Sequence, residues 1–430
     1  MNWIKRIFGL ERQPPRDAGA DWGEIGEGEV LVLQRFDSPA REAPAHPHFR
    51  SMAGLFEDAR SDGFGGDAGL AARAFLPAQP VSTVSRFAGR QPVLRAVIRA
   101  IEDQQLHVIV YGDRGIGKTS LLMVVSELAQ QAAYAVHYVS CGEESDFCEL
   151  FRSILARIPL LYDASLDPGM EAVERGGTLA DKLPAGKFSV PLLSEVLSSL
   201  AGAKVLIVLD EFDRAADPRF RKSVAELIKN LSDRALPVQF LIGGVASSLP
   251  GLISDAPSIR RNVVGISLPN MSGEEIRELV AIGAKRGRLT FAETALARLI
   301  EASAGLPYLA GLLAQYGTLE AIAEGQSEIS QRHMARAIAS ARREISSRLS
   351  PAAQRVFDDP ELCGQKPLIL AAAAEAVRNG GMIRDLTITA ALGGDLGPVA
   401  RLFEQVPDDP WHGWRFQEDG ASNLAWLLGV

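Results

Sequence analysis

Residues 111–122 read YGDRGIGKTSLL and follow the apolar run HVIV at 107–110. Gly112, Asp113, Arg114, Gly115, Ile116, Gly117, Lys118 and Thr119 fit G-x-x-x-x-G-K-[ST] in full. They lie between a strand-like run and a helix-like one, the context in which that spacing has physical meaning. Glycines let successive backbone N–H groups turn inward around phosphate oxygens, and the following helix adds the partial positive charge of its N-terminus. In such a loop Lys118 reaches the β- and γ-phosphates and the Thr119 hydroxyl ligates Mg2+, with Ser120 next in the cradle. The stretch predicts a nucleotide site.

Working outward, VLIVLDEFD at 205–213 supplies a second element. Asp210 ends an apolar strand, where a carboxylate can hold Mg2+ directly or through water. Glu211 beside it can orient and polarise an attacking water as general base. The plain alternative is an Asp-Glu pair that only leads into the next helix. An acid directly after the magnesium carboxylate argues for hydrolysis, which a pure binder does not need.

The surrounding pattern sets the fold class. Short β-rich runs at 107–112, 134–141, 204–212, 238–244 and 262–268 alternate with helix-like stretches. Nearly continuous apolar strands separated by helices predict an α/β fold with a five-stranded parallel sheet covered on both faces. Residues 158–190 read as a long surface excursion. After residue 270 the strands stop: Ser272 and Glu275 offer a capping box, and helices are expected near 291–303, 307–323 and 331–348, a helical lid. Residues 350–430 read as an α+β module with a winged-helix order: helices near 351–358, 367–379 and 397–405, then WRFQ. The expected domains are a leader over 1–80, a P-loop core over 81–270, the lid over 271–349 and this last module.

The loop, the LIVLDEFD strand, the FAGR box at 87–90 and the helical lid together resemble the AAA+ ATPases over roughly residues 80–345. Within them the sequence is similar to the origin-recognition-like group and its bacterial relatives, which border on the STAND signalling ATPases. The resemblance implies ATP as ligand with Mg2+ and its hydrolysis, a γ-phosphate sensor at Ser247 and an arginine finger at Arg261, beside Arg260. Such a finger serves a neighbouring subunit's site or its own. Arg90 of the FAGR box either helps form the nucleotide pocket or packs against the lid. The lid departs from motor-like members: SAGLPYLAGLL at 303–313 puts Pro307-Tyr308 where those carry an arginine. Gly-Leu-Pro resembles the STAND variant, in which Pro307 would couple lid orientation to nucleotide state. That implies slow turnover and a switch or assembly factor acting on a protein partner, with homo-oligomers open.

Partners outside the nucleotide are less defined. A net charge of −8 gives no support to a chain that coats nucleic acid. Residues 331–349 carry Arg332, Arg336 and Arg343 opposite an apolar stripe, which either tracks a phosphate backbone or is a solvated, acid-paired face. The DNA-bound reading, a helper of initiator or transposition-regulator type, is therefore the alternative. Residues 356–430 hold 11 acidic and 5 basic side chains, a balance that suits a protein-facing module better. Three cysteines form neither an even framework nor a metal spacing and fit a reducing cytoplasm. No run approaches the ~20 apolar residues of a membrane span. Residues 1–12, with Trp3, Ile7 and Phe8 beside Lys5 and Arg6, read as a frayed end or a short amphipathic helix for a partner or a membrane surface.

Overall fold

The computed structural model describes residues 69–167, 170–245, 259–359, 365–394, 396–406 and 412–429. The chain divides into residues 1–51 and 52–430. The first unit, with the expected amphipathic helix over 1–12, lies outside the described residues, as do Ser247 and Cys363.

The five apolar runs form one sheet: β1 (His107–Gly112), β2 (Ala135–Ser140), β3 (Val205–Asp210), β4 (Val238–Val245) and β5 (Val263–Ser267), in the order β2-β3-β4-β1-β5. Every pairing is parallel, as in Val108 opposite Leu241, Ile109 opposite Gly265 and Val208 opposite both Tyr138 and Leu241. Side chains alternate between faces, so both faces need apolar residues. Val108, Val110, Leu206 and Val208 join one core; Ile109, Ile207, Leu209 and Ile242 join the other.

Helices α1 (Gln91–Glu102) and α2 (Lys118–Gln131) cover the first face; α3 (Phe147–Leu155), α5 (Val190–Ser198) and α6 (Pro218–Asp233) cover the second. The local chemistry is legible in α6. Asp217 caps it by accepting the Arg219 N–H at 2.8 Å, Pro218 starts it, and Phe220, Val224, Leu227, Ile228 and Leu231 recur on its buried side. Among the described residues between α3 and α5, the excursion contains the short α4 (Glu171–Glu174) and single 3-10 turns. It is pinned rather than loose. Leu160 and Leu179 are buried, and the buried Asp163 carboxylate is held by Lys182 and Ser165. Those bonds outweigh its desolvation and lower it to about 2.

Helices α7 (Gly273–Gly287), α8 (Glu293–Ser303), α9 (Pro307–Ala323) and α10 (Gln331–Ser347) form the lid. The Ser272–Glu275 capping box is present in both directions, at 3.2 and 2.9 Å. A two-residue parallel pair, β6 (Thr290–Phe291) with β7 (Glu328–Ile329), interrupts the expected all-helical lid. The C-terminal module contains α11 (Pro351–Asp358), α12 (Lys366–Arg378), α13 (Leu386–Leu392) and α14 (Ala421–Gly429). Its sheet of β8 (Met382–Ile383), β9 (Phe403–Gln405) and β10 (Trp414–Phe416) is antiparallel in the order β8-β10-β9. The stretch expected to be a helix over 397–405 is a 3-10 helix over Gly397–Leu402 that passes into β9.

Lid, C-terminal module and the first sheet face share one continuous apolar core. The leader also ends earlier than its composition implies. Ala71, Ala74 and Phe75 are buried, and the Phe75 ring meets Phe291 edge-on at 6.0 Å. Gly283 in α7 makes this possible, since a Cβ there would lie 2.1 Å from the Phe75 ring. The Pro/Gly/Ala-rich composition hid the few apolar residues that tie 69–80 down.

Candidate functional site

The loop between β1 and α2 holds the backbone that its glycines allow. Gly115 has φ +77° and Gly117 φ +95°, conformations that cost a side-chain-bearing residue strain. Lys118 is nearly buried, and its Nζ donates to the carbonyls of Gly112 at 2.8 Å and Asp113 at 2.7 Å. Burial lowers its pKa, opposed by the charges of Asp213, Asp113 and Asp210. An ammonium held by loop carbonyls exchanges them readily for charged phosphate oxygens.

Beside the loop lies a cavity of about 630 Å3, inside the roughly 300–1,000 Å3 range of ligand pockets. Lys118, Thr119, Ser120, Asp210 and Glu211 line one end. Asp210 is 4% exposed; its Oδ1 accepts the Glu211 N–H at 2.8 Å and its Oδ2 the Tyr138 hydroxyl at 2.6 Å. Glu211 stands in the left-handed region at φ +53°. Its Oε2 accepts from Ser140 Oγ at 3.1 Å and Arg214 Nη1 at 2.8 Å. The hydroxyl of Thr119 and the carboxylate of Asp210 are hard oxygen donors, a set that fits Mg2+ bridging to phosphate. No cluster of three or more His, Cys, Asp or Glu suited to a metal occurs among the described residues.

The lid reaches the loop directly. Tyr308 N–H donates to the Gly115 carbonyl at 3.4 Å, and Pro307 Cγ would lie 3.8 Å from a Cβ at Gly117. The Tyr308 hydroxyl accepts from Arg348, which also pairs with Glu344. The C-terminal module touches the same loop. Arg114 pairs with Asp419, and Asp113 lies against Gly380 and Gly381.

Residues 86–242 match the family described as AAA ATPase domain. The chain carries an AAA ATPase domain. No match is found among curated proteins. Among solved structures the chain is similar to the RuvB Holliday junction branch migration motor of Thermotoga maritima, at 16% identity over 80% of this chain and 96% of that one (TM-score 0.42). It is also similar to a Walker-type ATPase of Pyrococcus abyssi, at 14% identity over 82% and 99% (TM-score 0.47). A third is the Aeropyrum pernix ORC1 protein in complex with DNA, at 15% identity over 80% and 92% (TM-score 0.43).

Of the expected site residues, Gly112, Asp113 and Ile116 of the loop do not line the cavity, Ile116 being buried in the core, and Arg90 and Arg261 stand apart from it. Arg90 does not line it. Its Nη2 donates to the Pro269 carbonyl at 3.0 Å and its backbone N–H to Glu275, while Gly89 N–H donates to Glu278 at 2.9 Å. The FAGR box thus clasps the first turns of α7, and burial, opposed by Glu275, lowers the Arg90 pKa to about 10. Arg261 precedes β5 at its N-terminal end, whereas the loop follows the C-terminal end of β1, and the two strands run parallel. Six residues of strand, roughly 20 Å, separate them. Arg261 therefore cannot reach the site of its own chain. Its side chain is 75% exposed and 3.6 Å from Asp233.

The basic stripe of α10 is spoken for. Arg332 and Arg336 both pair with Glu324, and Arg336 also lies 3.5 Å from Glu320. Arg343 donates to Ser340 Oγ at 2.9 Å. Two of the three arginines are thus paired with acids, while their side chains remain partly exposed.

Two features of the site were missed in the sequence. Residues 74–81 also line the cavity, tied to α2 by Val81 N–H donating to Ser120 Oγ at 3.0 Å. The compact FLPAQPV at 75–81 was the available signal. Arg86 and Arg286 line the same cavity, and burial, then the Arg286 charge, lowers the Arg86 pKa. Their separation of 200 residues gave no sign of this. No described helix is long and apolar enough to cross a membrane.

Proposed function

We propose that the chain is a slow, magnesium-dependent ATPase that works as a nucleotide-controlled switch or assembly factor on a protein partner, in a cytoplasmic setting. One observation carries the reading: the phosphate loop is held from two sides, by the lid at Gly115–Tyr308 and by the C-terminal module at Arg114–Asp419. A triphosphate entering this loop must alter contacts that belong to the lid and to that module, so the ligand has differential affinity for two arrangements. The module's element order, helix then β8, α13, a 3-10 helix and β9-β10, supports a winged-helix-like protein-facing domain.

In this reading Lys118 and the loop N–H groups of 112–120 bind the phosphates, and Thr119 and Asp210 hold Mg2+, whose charge would offset that of the β- and γ-oxygens. Glu211 positions water and takes its proton as the new P–O bond forms and the β–γ bridge breaks. For that, Glu211 must give up Arg214, a contact that keeps the base occupied in this arrangement. Pro307 contacts the loop as the lid's reporter, and Arg261 would serve a neighbouring subunit.

The test compares ATP turnover and sedimentation of wild type, Lys118→Ala and Glu211→Gln. Lys118→Ala should lose nucleotide; Glu211→Gln should retain ATP and accumulate the ATP-bound form. Wild-type turnover by Glu211→Gln would remove Glu211 as the base.

A further inference from the structure

The edge strand β2 supplies more to the site than sheet area. Tyr138 lies opposite Val208, and Ser140 opposite Asp210. Residues two apart share a face, so Tyr138 and Asp210 are diagonal neighbours on the face that α2 covers. The Tyr138 hydroxyl reaches the Asp210 Oδ2 at 2.6 Å, while the Glu211 N–H takes Oδ1 at 2.8 Å. The third side is closed by β4, where a Cβ at Gly243 would lie 2.9 Å from Oδ1 and 2.8 Å from Leu122. A donor on each oxygen and backbone against one flank leave the carboxylate a single orientation.

We infer that Tyr138 is a positioning residue for Asp210. Its hydroxyl fixes the rotation of the carboxylate before any nucleotide arrives and leaves the remaining lone pairs aimed into the cavity. A carboxylate held in this way loses little freedom when it engages a cation, which is the physical source of preorganised binding. A phenylalanine at 138 keeps the ring packed against the core and removes only the donor. Asp210 then holds one fixed hydrogen bond, to a neighbour in sequence, and can turn about its last torsion. The inference rests on the reading of Asp210 as a magnesium ligand.

Binding of a fluorescent ATP analogue, titrated with Mg2+ and separately measured in EDTA, tests it on wild type, Tyr138→Phe and Asp210→Asn. Tyr138→Phe should raise the Mg2+ concentration for half-maximal binding by about tenfold, the scale of one hydrogen bond to a charged group, with affinity in EDTA unchanged. Its kcat should fall with little change in KM for ATP. The idea is overturned if the Mg2+ midpoint stays at the wild-type value, or if affinity drops equally with and without Mg2+. Should Tyr138→Phe fold poorly, Tyr138→Leu, which also removes the donor, must give the same raised Mg2+ requirement, and a wild-type midpoint there also overturns it. Asp210→Asn separates the two levels. If it keeps the full Mg2+ effect, the assignment of Asp210 fails beneath the inference; if it alone loses the effect, only the role of Tyr138 fails.

Discussion

The Asp113 carboxylate of the phosphate loop lies beneath Gly381 of the C-terminal module, where an added Cβ would stand 2.9 Å from both of its oxygens. Gly381 has φ +78°, so glycine answers both the conformation and the space. Burial raises the Asp113 pKa to about 6; Lys118 opposes the rise and Asp419 adds to it.

That shift has a sign. The folded pKa lies above the ordinary value of 3.8, so the protonated carboxyl suits the docked state. Stability is lost as pH rises from about 4 to about 6, and by no more than about 3 kcal/mol. Asp113→Asn should remove this loss. Thermal unfolding should show the variant more stable than wild type at pH 8 and equal to it near pH 4. A pH-independent difference would mean that charge is not the cause.

His107 predicts the opposite slope elsewhere. It is buried between strands, accepting the Phe240 N–H at Nδ1 (2.9 Å) and meeting Ser232 Oγ through Nε2 (3.0 Å). Burial lowers its pKa to about 4 from 6.5. A histidine neutral in the fold loses stability as pH falls from 6.5 to about 4, again by at most about 3 kcal/mol. His107→Gln should flatten the acid limb of the unfolding midpoint; an unchanged limb would assign it to other groups.

In the proposed reading Arg261, a strand length from its own loop, serves another chain. Arg261→Ala should lower turnover at least tenfold while leaving ATP affinity intact. Mixing it with Lys118→Ala should restore part of the activity, because the second variant contributes its arginine to an intact site. Failure of the mixture to recover any turnover would argue that no such shared site forms.

Arg332 and Arg336 are engaged by Glu324, whose hydrogen bonds with His333 and Arg336, followed by the arginine charges, hold it at about 2. Replacing both arginines by alanine should leave the salt dependence of any duplex DNA retention unaltered. A slope reduced by about 2 would instead show phosphate contacts and support the nucleic-acid reading.

Strand and helix positions were largely legible because their signals are local. HVIVYG marks β1 at its full extent, GLPYLAGLL opens α9 at Pro307, and Ser272 with Glu275 caps α7. The loop from Gly112 to Thr119 and the Asp210–Glu211 pair were read the same way, since a few adjacent residues carry their spacing. Arg90 and Arg261 each kept two readings for a shared reason: position relative to a motif says nothing about which part of the fold a side chain meets. Arg90 turned to the lid, and Arg261 lies a full strand length from its own loop.

By itself the sequence determined the α/β class, the phosphate loop and the acidic strand end, because period, glycine placement and charge act over a few residues. Only the tertiary structure decided what closes on that loop. Tyr308 at Gly115, Gly381 over Asp113 and Tyr138 on Asp210 join residues 72 to 268 positions apart. Such contacts follow from how the sheet, lid and C-terminal module share one apolar core, a matter of packing that no local pattern encodes.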